Sequence, residues 1–251
     1  MIDTTDRPGR LARPGGASIA YRDRPGKRPT VVFLGGFRSD MTGSKAAALD
    51  AHCAARSQAF LRFDYQGHGA SSGRFEDGTI GSWTADALAA IDALTAGDLV
   101  LVGSSMGGWI MLELALARPE RVRALLGIAA APDFTEDLIW ARMDAPTRAA
   151  LDAEGLVRQV SAYGEPYPIT RALIEEGRGR LRLRKKIPFC GQVRLLHGQR
   201  DPDVPWDRSL ALAAALETED VRCVLIKDGD HRLSRDSDLA LLTATLDTLL
   251  D

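Results

Sequence analysis

Near the middle of the chain, Gly103-Ser104-Ser105-Met106-Gly107 sets a serine between two glycines where the apolar run Leu99 to Val102 gives way to a helical pattern starting near Met106. A serine on so tight a strand-to-helix turn is pushed out from the backbone. The flanking glycines are needed because side chains there would collide with neighbouring main chain. The helix N-terminus behind it favours developing negative charge. Ser105 is therefore suited to attack a carbonyl carbon. A glycine-rich turn that caps a helix through Ser104 or Ser105 is the plainer alternative.

A serine hydroxyl needs a base to take its proton, and four histidines are available. His52 lies in a polar-faced helical stretch, His68 sits between two glycines, and His197 ends an apolar run just before Gly198. His231 follows the apolar run Arg222 to Ile226 in the turn Asp228-Gly229-Asp230-His231, ahead of a final helix, and is the candidate base. The base in turn needs a carboxylate to fix its tautomer. Asp201, just past the run ending at His197 and followed by Pro202, is the first choice; Asp203 is the alternative, or it caps the helix after Pro205. For an oxyanion, the loop Leu34-Gly35-Gly36-Phe37 offers the Phe37 amide, with the Met106 amide as its partner.

These groups require elements that end where they stand. Apolar runs at Ser18–Arg22, Thr30–Leu34, Ala59–Asp64, Leu99–Gly103, Ala124–Ala129, Gln192–His197 and Arg222–Ile226 read as strands, the first antiparallel and most of the others buried and parallel. Ser44–Arg56, Ser82–Ala96, Met106–Ala117, Pro205–Leu216 and Asp236–Leu250 read as helices. The alternation predicts a mostly parallel α/β sheet covered on both faces. Between Pro132 and Pro188 the rhythm breaks into further helical stretches, Thr147–Val160 and Thr170–Glu176, expected to form a small helical lid (133–188) on a single domain of 1–251.

Of 251 residues, 45% are apolar and 26% charged, and the net charge is −2, so nothing global favours nucleic acid. Cys53, Cys190 and Cys223 show no metal-ligand or disulfide spacing. An N-terminal stretch rich in Arg, Pro and Gly, with no apolar run of membrane length, leads to the expectation of a cytoplasmic protein without a membrane span, monomeric by default.

Taken together, Phe33-Leu34-Gly35-Gly36-Phe37, Asp64-Tyr65-Gln66-Gly67-His68-Gly69-Ala70-Ser71, the serine turn, His197-Gly198 with Asp201, and Gly229-Asp230-His231 resemble the alpha/beta-hydrolase superfamily over nearly the whole chain. The order Ser105, Asp201, His231 is that of this superfamily. The resemblance implies a serine hydrolase that cleaves a carboxylic ester or thioester through an acyl-enzyme, with no metal or organic cofactor. Carbon-carbon, lactone or amide hydrolysis by the same residues, and a catalytically idle binding member, are the rivals. Phe37 to Ala46 and Ile169 to Arg178 further resemble a subgroup of bacterial hydrolases related to the mitochondrial palmitoyl-protein thioesterase that also cleaves mycophenolic acid acyl glucuronide, which adds acylated proteins to the candidate substrates. Gly35 departs from the pattern, since many members carry histidine there. Leu138, Ile139, Trp140, Val160, Tyr163, Tyr167, Leu173 and Ile174 could line an acyl pocket or fill the lid's own core. Arg178 to Lys186 could draw an anionic substrate or simply be solvated.

Overall fold

The computed structural model describes residues 5–161 and 164–250, leaving the side chains of 160–165 undescribed. Its main sheet has eight strands, β1 (Arg7–Ala12), β2 (Ser18–Arg24), β3 (Lys27–Leu34), β4 (Gln58–Phe63), β5 (Leu99–Ser104), β6 (Val122–Ile128), β9 (Gln192–Gly198) and β10 (Val221–Ile226), in the spatial order β1-β2-β4-β3-β5-β6-β9-β10. The first two pairings are antiparallel and all later ones parallel. Parallel strands buried on both faces lose the apolar-polar alternation. In β3, Val31 and Phe33 enter one core while Val32 and Leu34 enter the other.

On the first face lie α1 (Ser44–Ala55) and α7 (Asp236–Leu250), through Leu49, Cys53, Leu242 and Leu246. The opposite face carries α2 (Ile80–Leu94), α3 (Met106–Ala117) and α6 (Asp207–Ala215), through Trp83, Ile91, Trp109 and Leu212. Thr79 and Ser82 close a reciprocal cap at the start of α2, satisfying donors that the first helical turn leaves free. Helix α3 is buried on every side from Met106 to Ala115, because the segment after β6 covers its outer face.

That segment is not purely helical. Helix α4 (Ala145–Glu154) starts on an Asp144 cap and stops at Gly155, whose left-handed φ of 77° ends the turn. The expected helix over Thr147–Val160 therefore ends at Glu154, and Leu156–Ser161 is strand β7, paired antiparallel with β8 (Gly164–Thr170). Helix α5 (Arg171–Arg178) follows, capped by Thr170. Buried Asp133 ties the two ends of the segment together, because its carboxylate accepts from the Arg182 and Leu183 amides at 2.7 and 2.9 Å.

Candidate active site

Ser105 stands between β5 and α3 at φ 53°, ψ −116°, a conformation that side chains other than glycine seldom adopt. Its amide donates to Ile128 O and its carbonyl accepts from the Gly108 and Ala131 amides, which pins the turn from both sides. A Cβ on Gly107 would lie 2.1 Å from Leu34 O and 2.7 Å from Gly35 O, so the glycine is what lets α3 approach the loop after β3. Phe37 follows in that loop. Neither the Phe37 nor the Met106 amide has a hydrogen-bond partner among the described residues.

Three side chains from three separate strand ends converge. His231 Nε2 lies 3.1 Å from Ser105 Oγ, and His231 Nδ1 lies 2.7 Å from Asp201 Oδ2. The Arg200 amide donates to Gly229 O, joining the loop after β9 to the turn before His231. In the turn that carries the ring, Asp230 accepts from the Arg232 and Leu233 amides, and Lys45 Nζ donates to Arg232 O. Burial pushes the Lys45 amine down to about 8, even with Asp230 nearby.

The Asp201 side chain is fully buried and saturated with donors, its Oδ1 accepting from the Asp203 and Val204 amides, each at 2.9 Å. Burial works against the charge, but hydrogen bonds from His197 and His231 outweigh it and hold the carboxyl well below the usual carboxylate range. Asp203, the competing acid, makes no such contact with the ring. It lines the cavity, and the position before α6 is taken by Trp206 with no side-chain cap, so Asp203 does not cap that helix.

The cavity over Ser105 measures about 810 Å³, within the range of small-molecule sites. Phe37, Met106, Phe134, Leu138, Ile139 and Val204 give it an apolar wall, with Gln159, Tyr167, Arg142 and Lys45 as polar points. Of the apolar residues expected there, Leu138, Ile139 and Tyr167 line it. Leu173 and Ile174 are buried in the main core, Trp140 stacks under Arg148 and Arg178, and the side chains of Val160 and Tyr163 lie outside the described residues. His68 Nε2 accepts from the Arg38 amide, and burial among Tyr65, Phe75 and Trp83 lowers the ring to about 4, so it is a neutral prop for the loop bearing Phe37. The basic stretch is mostly paired: Arg178 with Glu136, Arg180 with Glu176 and Glu113, Arg182 with Glu113, and Arg184 with Asp137. Asp201, Asp203 and His231 also place three potential metal-ligand atoms within 4.8 Å of one another. The hydrogen bonds of Asp201 and His231 already engage both of their donor or acceptor ends.

A profile of the alpha/beta hydrolase family matches residues 31–244, spanning every element that contributes to this site. The chain belongs to the alpha/beta hydrolase family. Over 236 residues this hydrolase is 40% identical to the mitochondrial palmitoyl-protein thioesterase ABHD10 of Mus musculus, covering 93% of this chain and 79% of that protein. The solved structure of alpha/beta hydrolase domain-containing protein 10 from mouse superposes with a TM-score of 0.90 at 38% identity, covering 97% and 98% of the two chains. A crystal structure from Agrobacterium vitis S4, described as that of a hydrolase, gives a TM-score of 0.93 at 41% identity over 98% and 99%. The pimeloyl acyl-carrier protein methyl ester esterase of Nitrosospira multiformis is 30% identical over 147 residues, 56% of this chain and 53% of that protein. The mouse protein is named mitochondrial, so the cytoplasmic expectation gains no support from it. No helix among the described residues is long and apolar enough to cross a membrane.

Proposed function

We propose that this hydrolase cleaves a carboxylic ester or thioester by acyl transfer to Ser105. The observation that carries the reading is the hydrogen-bonded line from Ser105 through His231 to Asp201, at 3.1 and 2.7 Å. His231 Nε2 takes the hydroxyl proton as Oγ attacks the carbonyl. Asp201 accepts from Nδ1–H and stabilises the imidazolium that forms. The amides of Phe37 and Met106 donate to the oxyanion, and their freedom from other partners suits them to it. His231 then protonates the leaving alcohol or thiol, and the acyl-enzyme is released by water that the same ring activates. Neither half requires a metal or an organic cofactor.

Residues 133–188 act as the lid in this scheme, shaping the acyl pocket through Phe134, Leu138, Ile139 and Tyr167. The apolar wall favours an acyl chain, and the names of the thioesterase and methyl ester esterase relatives agree with that bond class. A fluorophosphonate probe is expected to label the wild type and leave Ser105→Ala unlabelled. A chain-length series of p-nitrophenyl esters against acyl-CoA thioesters then ranks the bond. Equal labelling of both proteins, or turnover only of amides or carbon-carbon substrates, would falsify the proposal.

A further inference from the structure

Behind Asp201 lies a second buried histidine that the reaction above does not use. His197, at the end of β9, is wholly buried. Its Nε2 faces two acceptors, Val204 O at 3.0 Å and Asp201 Oδ2 at 3.3 Å, and its Nδ1 lies 2.7 Å from the hydroxyl of Ser209, a buried residue of α6. Two acceptors at one nitrogen require that nitrogen to carry the hydrogen. In the neutral ring Nδ1 then accepts, and the Ser209 hydroxyl is the group that donates to it.

We infer that His197 is a positioning residue for Asp201, held in its Nε2–H tautomer by Ser209. The inference rests on the reaction proposed above. Asp201 Oδ2 receives the N–H of His231 and has His197 Nε2 3.3 Å away, whose hydrogen is shared with Val204 O at 3.0 Å, while Oδ1 receives two backbone amides. Three donated hydrogen bonds and the positive edge of the His197 ring leave the carboxylate one orientation, with Oδ2 aimed at His231. His197 also draws part of the Oδ2 charge away from the His231 Nδ1–H. Without it that charge concentrates on His231, the imidazolium is favoured, and the acid limb of the kcat/KM profile moves to higher pH. Asp203 lies within 4.8 Å of Asp201 and His231, and Asp230, Arg232 and Lys45 stand in and against the turn that carries His231.

Two measurements test this. Long-range proton-nitrogen NMR on the full-length, nitrogen-15-labelled wild type reads which ring nitrogen of His197 carries the hydrogen; Nε2 is expected, and Nδ1 would overturn the inference. Kinetics on His197→Leu should show kcat reduced roughly 10- to 100-fold, the size of loss seen when partners behind metal ligands are removed, with KM nearly unchanged and the acid limb displaced upward. His197→Gln, which keeps an N–H donor, should recover most of the loss. Equal losses in both variants with an unmoved limb would reduce His197 to a packing residue. If His197→Leu does not fold, Ser209→Ala takes its place: a several-fold fall in kcat with altered ring-nitrogen signals is expected, and no change in either would overturn the role given to Ser209. A wild type that neither turns over ester nor takes the fluorophosphonate label would defeat the proposed reaction instead, and the NMR measurement would still judge the tautomer.

Discussion

A positive φ at Ser105 costs on the order of 1–3 kcal/mol and persists only because neighbouring hydrogen bonds over-determine the turn. The strain is local, so the residue itself is replaceable without loss of fold. Ser105→Ala should retain the native circular dichroism and lose roughly 10⁵- to 10⁶-fold in turnover, with Asp201→Asn costing about 10⁴-fold. Asp203→Asn should change kcat/KM little, since the Asp203 contact with Asp201 runs through its backbone amide, which the substitution keeps. A steady-state comparison of the two aspartate variants checks this assignment, and a larger loss at Asp203 would reverse it. Gly107→Ala is a different kind of change: its methyl would meet backbone oxygens of Leu34 and Gly35, so either α3 or the Phe37 loop must retreat. Loss of activity with a lowered Tm is the expected result.

At the scale of elements, the segment between β6 and β9 is held to α3 by Glu113, whose side chain is 4% exposed and which pairs with Arg182 and Arg180. Removing one partner of a buried pair leaves an under-compensated charge. Arg182→Leu should therefore cost about 2–4 kcal/mol in a denaturant melt, with Arg180 retaining part of the interaction. The hairpin of β7 and β8 brings Gln159 and Tyr167 side by side over the cavity. Tyr167→Ala should shift the preferred acyl length while leaving turnover of the shortest esters within a few-fold, as a chain-length series would show. The sheet strands from Thr30 onward, and α3 and α7 to the residue, are legible in the sequence, because buried parallel strands and breaker-free helices leave continuous apolar signals. Strand β1, Arg7–Ala12, is not legible, because it holds Pro8 and Gly9, has Leu11 as its one large apolar residue and lies at the sheet edge. Strand β7 reads as helix in the sequence, because the Ala- and Leu-rich α4 masks the change of period after Gly155. Ser105, His231 and Asp201 were legible because each follows a strand in a turn. Ser209 carries no local signal, since a serine within a helix shows nothing of the histidine that it touches.

For the molecule as a whole, the buried ring of His68 sets an acid response. Folded, it takes a proton only near pH 4, whereas unfolded it takes one near its ordinary value of about 6.5. Between those values the unfolded chain binds more protons, so stability falls as pH is lowered through the window. His68→Gln should flatten that slope in urea melts run across it. Lys45, lowered to about 8, tilts the curve the same way at the alkaline end, with folding favoured as pH rises from 8 toward the ordinary lysine value.

Ser105 and His231 meet across 126 positions of sequence, and the ring arrives just before the last helix. A nascent or refolding chain thus holds an inert hydroxyl until its final quarter has docked. Capture of the fluorophosphonate over time after dilution from urea should consequently lag behind recovery of helical signal, marking completion of the tertiary structure rather than its onset.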